Sequence, residues 1–119
     1  MNDDTFENLE VWRDAIELAA RVYELFRACR DFEFRGQIQS AAVSISNNIA
    51  EGYERDSNVE FIRFLFIAKG SCGELRSQSY LAKRVKLLAE DDALALVADT
   101  KRLSKRIMKL IEARRAKFA

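Results

Sequence analysis

No proline and only four glycines occur among the 119 residues of this chain. These are the residues that interrupt helices and shape loops, so a backbone that starts helical has few places to stop. The AVILMFWYC set makes up 49% of the sequence and charged residues 33%. That mixture suits amphipathic helices around a core and is too apolar for a disordered chain. The length fits one domain with a real core. The expected fold is all-α, an antiparallel up-down-up-down four-helix bundle.

Apolar periodicity places the four helices at about 8–29, 32–53, 57–88 and 91–116. In the first, Val11, Ala15, Leu18, Val22, Leu25 and Cys29 form one stripe, and Leu9, Trp12, Ile16, Ala19 and Tyr23 a second beside it. Together they exceed the ~100° arc that a helix packed on one side requires. The surplus predicts cover by a second subunit, with Trp12 at or near the contact. Asp31 is a plausible N-cap for the second helix, whose face carries Ile38, Ala42, Ile45, Ile49 and Gly52. Ser57 followed by Glu60 matches a capping box and opens the third, with Phe61, Phe64, Leu65, Ala68, Cys72, Leu75 and Ala82 on one face. Glu90, Asp91 and Asp92 oppose the dipole at the start of the fourth. Its Leu96, Thr100, Leu103, Ile107 and Leu110 step by four and three in a heptad-like seam.

Net charge is +1 but unevenly spread. Residues 1–40 hold nine acids and five bases, and residues 101–119 one acid and eight bases. Two cysteines without a CxxC and the absence of histidine argue against a disulfide framework and a zinc site. The opening Met-Asn-Asp-Asp-Thr is acidic and polar, unlike a signal peptide, and apolar runs such as Phe64 to Ala68 are far too short for a bilayer. A cytoplasmic protein without membrane contact is expected. Catalysis has little support. There is no histidine base, no triad-like serine or cysteine, no carboxylate pair aimed at one pocket and no phosphate loop, since Gly70-Ser71-Cys72-Gly73 lies within a helical pattern. No enzyme, metal or cofactor is expected.

Two groups of residues are functional candidates. The first is the basic side of the fourth helix: Lys101, Lys105 and Lys109 at steps of four, Arg102 and Arg106 beside them, then Arg114, Arg115 and Lys117. Such a face is either solvated or a phosphate-binding surface of low sequence preference. No aromatic residue interleaves with these bases along the helix, so stacking is not expected from it. The second is a polar stripe on helices two and three. A turn near residue 55 predicts Gln37 near Glu74, Ser40 near Ser71, and Asn48 near Arg63. This stripe reads as a hydrogen-bonded network between helices or subunits, with Ala41, Ser44, Ala68 and Gly70 small enough for close approach.

The run Gln37-Ile38-Gln39-Ser40-Ala41-Ala42-Val43-Ser44-Ile45-Ser46-Asn47-Asn48-Ile49-Ala50-Glu51-Gly52 fits the pattern Q-I-x-x-A-x-x-S-I-x-x-N-I-A-E-G. With Glu60 to Leu65, Ile67 to Ser71, Glu74-Leu75 and the opening Phe6, Leu9, Val11, Trp12 and Ala15, it resembles the proteins named after intervening sequences in bacterial 23S ribosomal RNA genes, over roughly residues 6–115. The resemblance implies a four-helix bundle, often a homopentamer, without established enzymatic activity. It implies a structural or interface role for the matching Gln37, Ser44, Asn48, Glu51, Gly52, Gly70, Ser71 and Glu74. A related type, the accessory variability determinant of diversity-generating retroelements, is a basic pentamer that binds nucleic acid and a reverse transcriptase. Gln39 and Ser40 stand where the family often has two arginines, and the family's prolines are absent. The expected partners are further copies of the chain together with RNA or DNA. The alternative is a self-assembling scaffold that binds a protein and no nucleic acid.

Overall fold

A computed structural model describes residues 5–118; the acidic start of the chain, read above as unlike a signal peptide, lies outside them. A 3-10 turn, Phe6–Asn8, precedes α1 (Glu10–Leu25), α2 (Phe32–Tyr53), α3 (Asn58–Arg84) and α4 (Glu90–Phe118). Every regular element among the described residues is helical. A 29-residue helix is about 44 Å long, and the molecule is a rod of 46 × 22 × 21 Å. The helices pack in the cycle α1, α2, α3, α4 and back to α1, where contact is sparsest.

The helix ends follow from local chemistry. The Asp31 carboxylate accepts from the Phe34 amide at 3.1 Å and caps α2. Ser57 Oγ accepts from the Glu60 amide at 3.3 Å and caps α3. The reciprocal half of that capping box is missing, because the Glu60 carboxylate pairs with Arg63 instead. α3 stops at Arg84, ahead of the Leu88 expected from periodicity. Lys86 enters the left-handed region at φ 65°, and the Leu87 amide donates back to the Ala82 carbonyl at 2.8 Å, a Schellman closure. α1 is also shorter than expected. Its last turn opens at Phe26, whose ring is fully buried although no stripe read from the sequence included it.

The core runs the length of the rod. Val22, Phe26, Ile38, Ile45, Ile49, Leu65, Leu75, Leu96, Ile107 and Ile111 are fully enclosed. Each such side chain contributes about 2 kcal/mol relative to exposure, against about 0.5 kcal/mol for an exposed ion pair, so burial dominates. Ser79 and Thr100, also fully enclosed, donate to the carbonyls of Leu75 and Val97 in their own helices. Burial holds the Cys72 thiol protonated by pushing its pKa to about 12.

Between α2 and α3, Tyr53 meets the edge of Phe61 at 5.4 Å, Gly52 lies against Phe64, and Ser44 Oγ is 2.9 Å from Ser71 Oγ. Ser71 therefore faces Ser44 and not Ser40, one helical turn from the expected register. Tyr53 with Phe61 and Gly52 with Phe64 show the same offset. The side chain of Trp12 is partly covered by Phe6, ring centroids 5.1 Å apart. Some of the apolar surplus of α1 is thus covered by the chain's own 3-10 turn.

Candidate nucleic-acid interface

α4 begins with three acids and buries Ala93, Leu96, Val97, Thr100, Leu103, Ile107 and Ile111. A stripe at steps of three and four on one side leaves the opposite side outward. Lys101, Lys105 and Lys109 lie there, all exposed. No carboxylate among the described residues is within ion-pair distance of these three.

The arginines beside them are engaged. Arg102 pairs with Asp99 one turn earlier, and Arg106 with Asp14 on α1. The face is therefore less uniformly positive than its sequence: two of its five cations are matched by carboxylates. The Arg106–Asp14 bridge spans the thinly packed α1–α4 seam. There an open cleft of about 440 Å³ is lined by Asp14, Glu17, Arg21, Asp99 and Arg102 over Leu18 and Leu103. Asp99 stood two residues before the basic run and could have been read as an i,i+3 partner. Asp14 is 92 residues away, and no sequence signal pairs it with Arg106.

Arg114 and Arg115 do not join the lysines. Arg114 is half-buried; its Nε donates to Asn58 Oδ1 at 2.9 Å, its carbonyl accepts from Asn58 Nδ2 at 3.2 Å, and its guanidinium lies 4.9 Å from the Phe61 ring centroid. It ties the end of α4 to the first turn of α3. Arg115 lies over Phe66 at 5.2 Å. Lys117 sits with Arg114 beside Tyr53, Glu54, Asp56 and Ser57 at the α2–α3 turn. The predicted basic face thus divides into a lysine row and a group that holds the bundle end together.

That end carries further charge. Arg55 and Arg63 both approach the Phe64 ring, at 4.9 and 4.7 Å, while pairing with Glu51 and Glu60. The Arg63 hydrogen bond holds the Glu60 carboxyl below its usual pKa.

The polar stripe also divides. Asn48 Nδ2 donates to Ser44 Oγ at 2.9 Å and to the Ser44 carbonyl at 2.8 Å, and Ser44 meets Ser71 across the seam. This is a closed network that satisfies its half-buried members. Gln37, Glu51 and Glu74 are exposed and outside it. Gly52 lets α2 and α3 approach: a Cβ there would sit 2.5 Å from Phe64 Cβ. Gly70 does no such thing. A Cβ at Gly70 or Gly73 meets nothing within 4 Å, so neither glycine relieves packing inside the protein, contrary to the sequence reading.

The family model for the 23S rRNA-intervening sequence protein matches residues 7–109. No curated protein matches the chain. Among solved structures, this fold resembles the crystal structure of a protein of unknown function from the S23 ribosomal protein family of Bacteroides thetaiotaomicron, with a TM-score of 0.79 and 24% sequence identity. The match covers 85% of this chain and 97% of that one. That likeness is one of fold. The family match spans nearly the whole chain and includes the Asn48–Gly52 and Gly70–Leu75 blocks around the α2–α3 seam. The chain belongs to the 23S rRNA-intervening sequence protein family.

Proposed function

We propose that this protein is a non-enzymatic helical bundle that associates with copies of itself and binds nucleic-acid backbone through α4. The observation that carries the binding reading is the row Lys101, Lys105 and Lys109, exposed and without carboxylate partners among the described residues, next to arginines that have them. An antiparallel up-down-up-down course is part of the same reading. Its support is that contact partners run in opposite senses along two of the neighbouring pairs: Ser44 with Ser71 but Tyr53 with Phe61 between α2 and α3, and Arg114 with Asn58 but Glu90 with Lys83 between α3 and α4.

Self-association is supported by the side of α3 that borders α2. Ile67, Leu81 and Val85 are 40%, 50% and 51% exposed and share a stripe with Glu74 and Gln78. Ile16 and Tyr23 of α1, 38% and 48% exposed, add apolar surface on the other side of α2. A pentamer is the expected assembly. Light scattering that returns a monomer mass at micromolar concentration overturns this part.

The binding part is tested by titrating labelled RNA and duplex DNA at two salt concentrations. Three phosphate contacts per subunit predict that log K falls by about 2–3 per tenfold rise in salt. Reversing Lys101, Lys105 and Lys109 to glutamate should abolish binding without changing the assembly. The second reading, a scaffold for a protein partner, rests on the same exposed apolar stripe. Absence of any nucleic-acid binding at low salt selects it.

A further inference from the structure

The lysine row does not stand alone. α3 has a second stripe, on the side of α4: Phe66, Lys69, Gly73, Arg76 and Tyr80, at steps of three and four, with the two rings exposed and Lys69, Gly73 and Arg76 half-buried. Phe66 and Tyr80 are 41% and 47% exposed and lie about 21 Å apart along the helix. Asn58 with Arg114 and Lys83 with Glu90 set the α3–α4 register. That register brings Lys69 level with Lys105, and Gly73 level with Lys101. Arg115 of α4 already reaches across to the Phe66 ring. From Phe61 to Ala89 the chain carries six bases and one acid, Glu74, and Glu74 lies on the α2 side of the helix. The acids of α4 along the strip are Glu112 beyond the Phe66 end, Asp99, which is tied to Arg102, and Glu90, Asp91 and Asp92 beyond the Tyr80 end, of which Glu90 is tied to Lys83.

Two exposed rings interleaved with unpaired cations on adjacent helices are the combination used for single strands, where bases stack on rings and phosphates track the cations. The glycines fit the same picture. Glycine inside a helix costs about 1 kcal/mol relative to alanine, and no internal contact uses the space at Gly70 or Gly73. That space stays open on the strip between the two rings. Solvated duplex backbone would need only the cations. The exposed rings have no role in binding a duplex from outside.

We propose that the outer edge of the α3–α4 pair is a binding strip for single-stranded nucleic acid, with Phe66 and Tyr80 stacking on bases and Lys69, Arg76, Lys101 and Lys105 holding phosphates. This deepens the function proposed above and rests on it: the lysine row supplies half of the cations. It leaves the α2 side of α3 free for self-association.

The test is fluorescence anisotropy with labelled oligothymidylate and a duplex of the same length, on wild type, Phe66→Ala, Tyr80→Ala and Lys69→Glu, with a thermal melt of each variant as a control on folding. Single strand should bind more tightly than duplex in wild type. Each ring variant should weaken single-strand binding about tenfold and leave duplex binding unchanged, while Lys69→Glu weakens both. Equal binding of strand and duplex, unaffected by loss of either ring, overturns the stacking strip and leaves the lysine row intact. No binding of either probe at low salt overturns both. A ring variant that melts below wild type is replaced by Phe66→Leu or Tyr80→Leu, which keep apolar bulk without an aromatic face, and the same outcomes apply.

Discussion

α3 has two neighbours and meets them differently. Against α2 the approach is close where at least one partner is small. Gly52 lies beneath Phe64, and a hydroxyl meets a hydroxyl at Ser44 and Ser71. Against α4 the ends of the seam are tied by long polar side chains: Asn58 with Arg114 at one end and Lys83 with Glu90 at the other. A seam of small residues brings backbones close and tolerates little addition. A seam tied by long side chains leaves charge on its outer margin, and there the candidate binding strip lies. The same division separates the glycines of the two matched blocks. Gly52 is needed for a close approach, while Gly70 and Gly73 have open space around them.

The sharpest way to break this comparison is Gly52→Ala. The added Cβ would sit 2.5 Å from Phe64 Cβ, so α2 and α3 must separate, and stability should fall by about 2 kcal/mol. An unchanged urea midpoint would show that the approach is not tight. Next is Asn58→Ala at the α4 seam. It removes both bonds to Arg114, for a loss of about 1.5 kcal/mol. If Asn58→Ala melts with wild type, that tie contributes nothing. Gly73→Ala should act in the opposite direction to Gly52→Ala and raise stability by about 1 kcal/mol; a lower melting temperature would mean that Gly73 has a packing role after all.

The smallest effect concerns the exposed Glu60–Arg63 pair at the turn. The Glu60 pKa is lowered in the folded protein, so its contribution is present above the ordinary value of 4.5 and is lost as pH falls through the lower folded value. An NMR titration of Glu60 should give a midpoint below 4.5, and Arg63→Gln should return it toward 4.5. A Glu60 midpoint already at 4.5 in wild type would leave the turn without that ion pair.

The buried stripes of α2, α3 and α4 were readable from spacing alone: Ile38, Ala42, Ile45 and Ile49, or Phe61, Leu65, Ala68, Cys72 and Leu75, all lie in the core. The caps Asp31 and Ser57 were readable for the same reason, since each acts on an amide three residues ahead. Three of the eight bases of the basic face were readable too. Lys101, Lys105 and Lys109 are outward because their helix has its apolar stripe on the other side. What spacing missed involves residues distant in sequence. Asp14 neutralises Arg106, and Asn58 and Phe61 take Arg114 off the face.

Helix identity, helix ends and the inward direction of each stripe depend on residues within a turn or two, and 3.6-residue periodicity carries that information in the chain itself. The register between helices depends on how a turn is closed and on which side chains are small enough to approach or long enough to bridge. Ser71 faces Ser44 instead of Ser40. That one-turn offset shifts every α2–α3 partner, and such offsets exist only once the helices have packed.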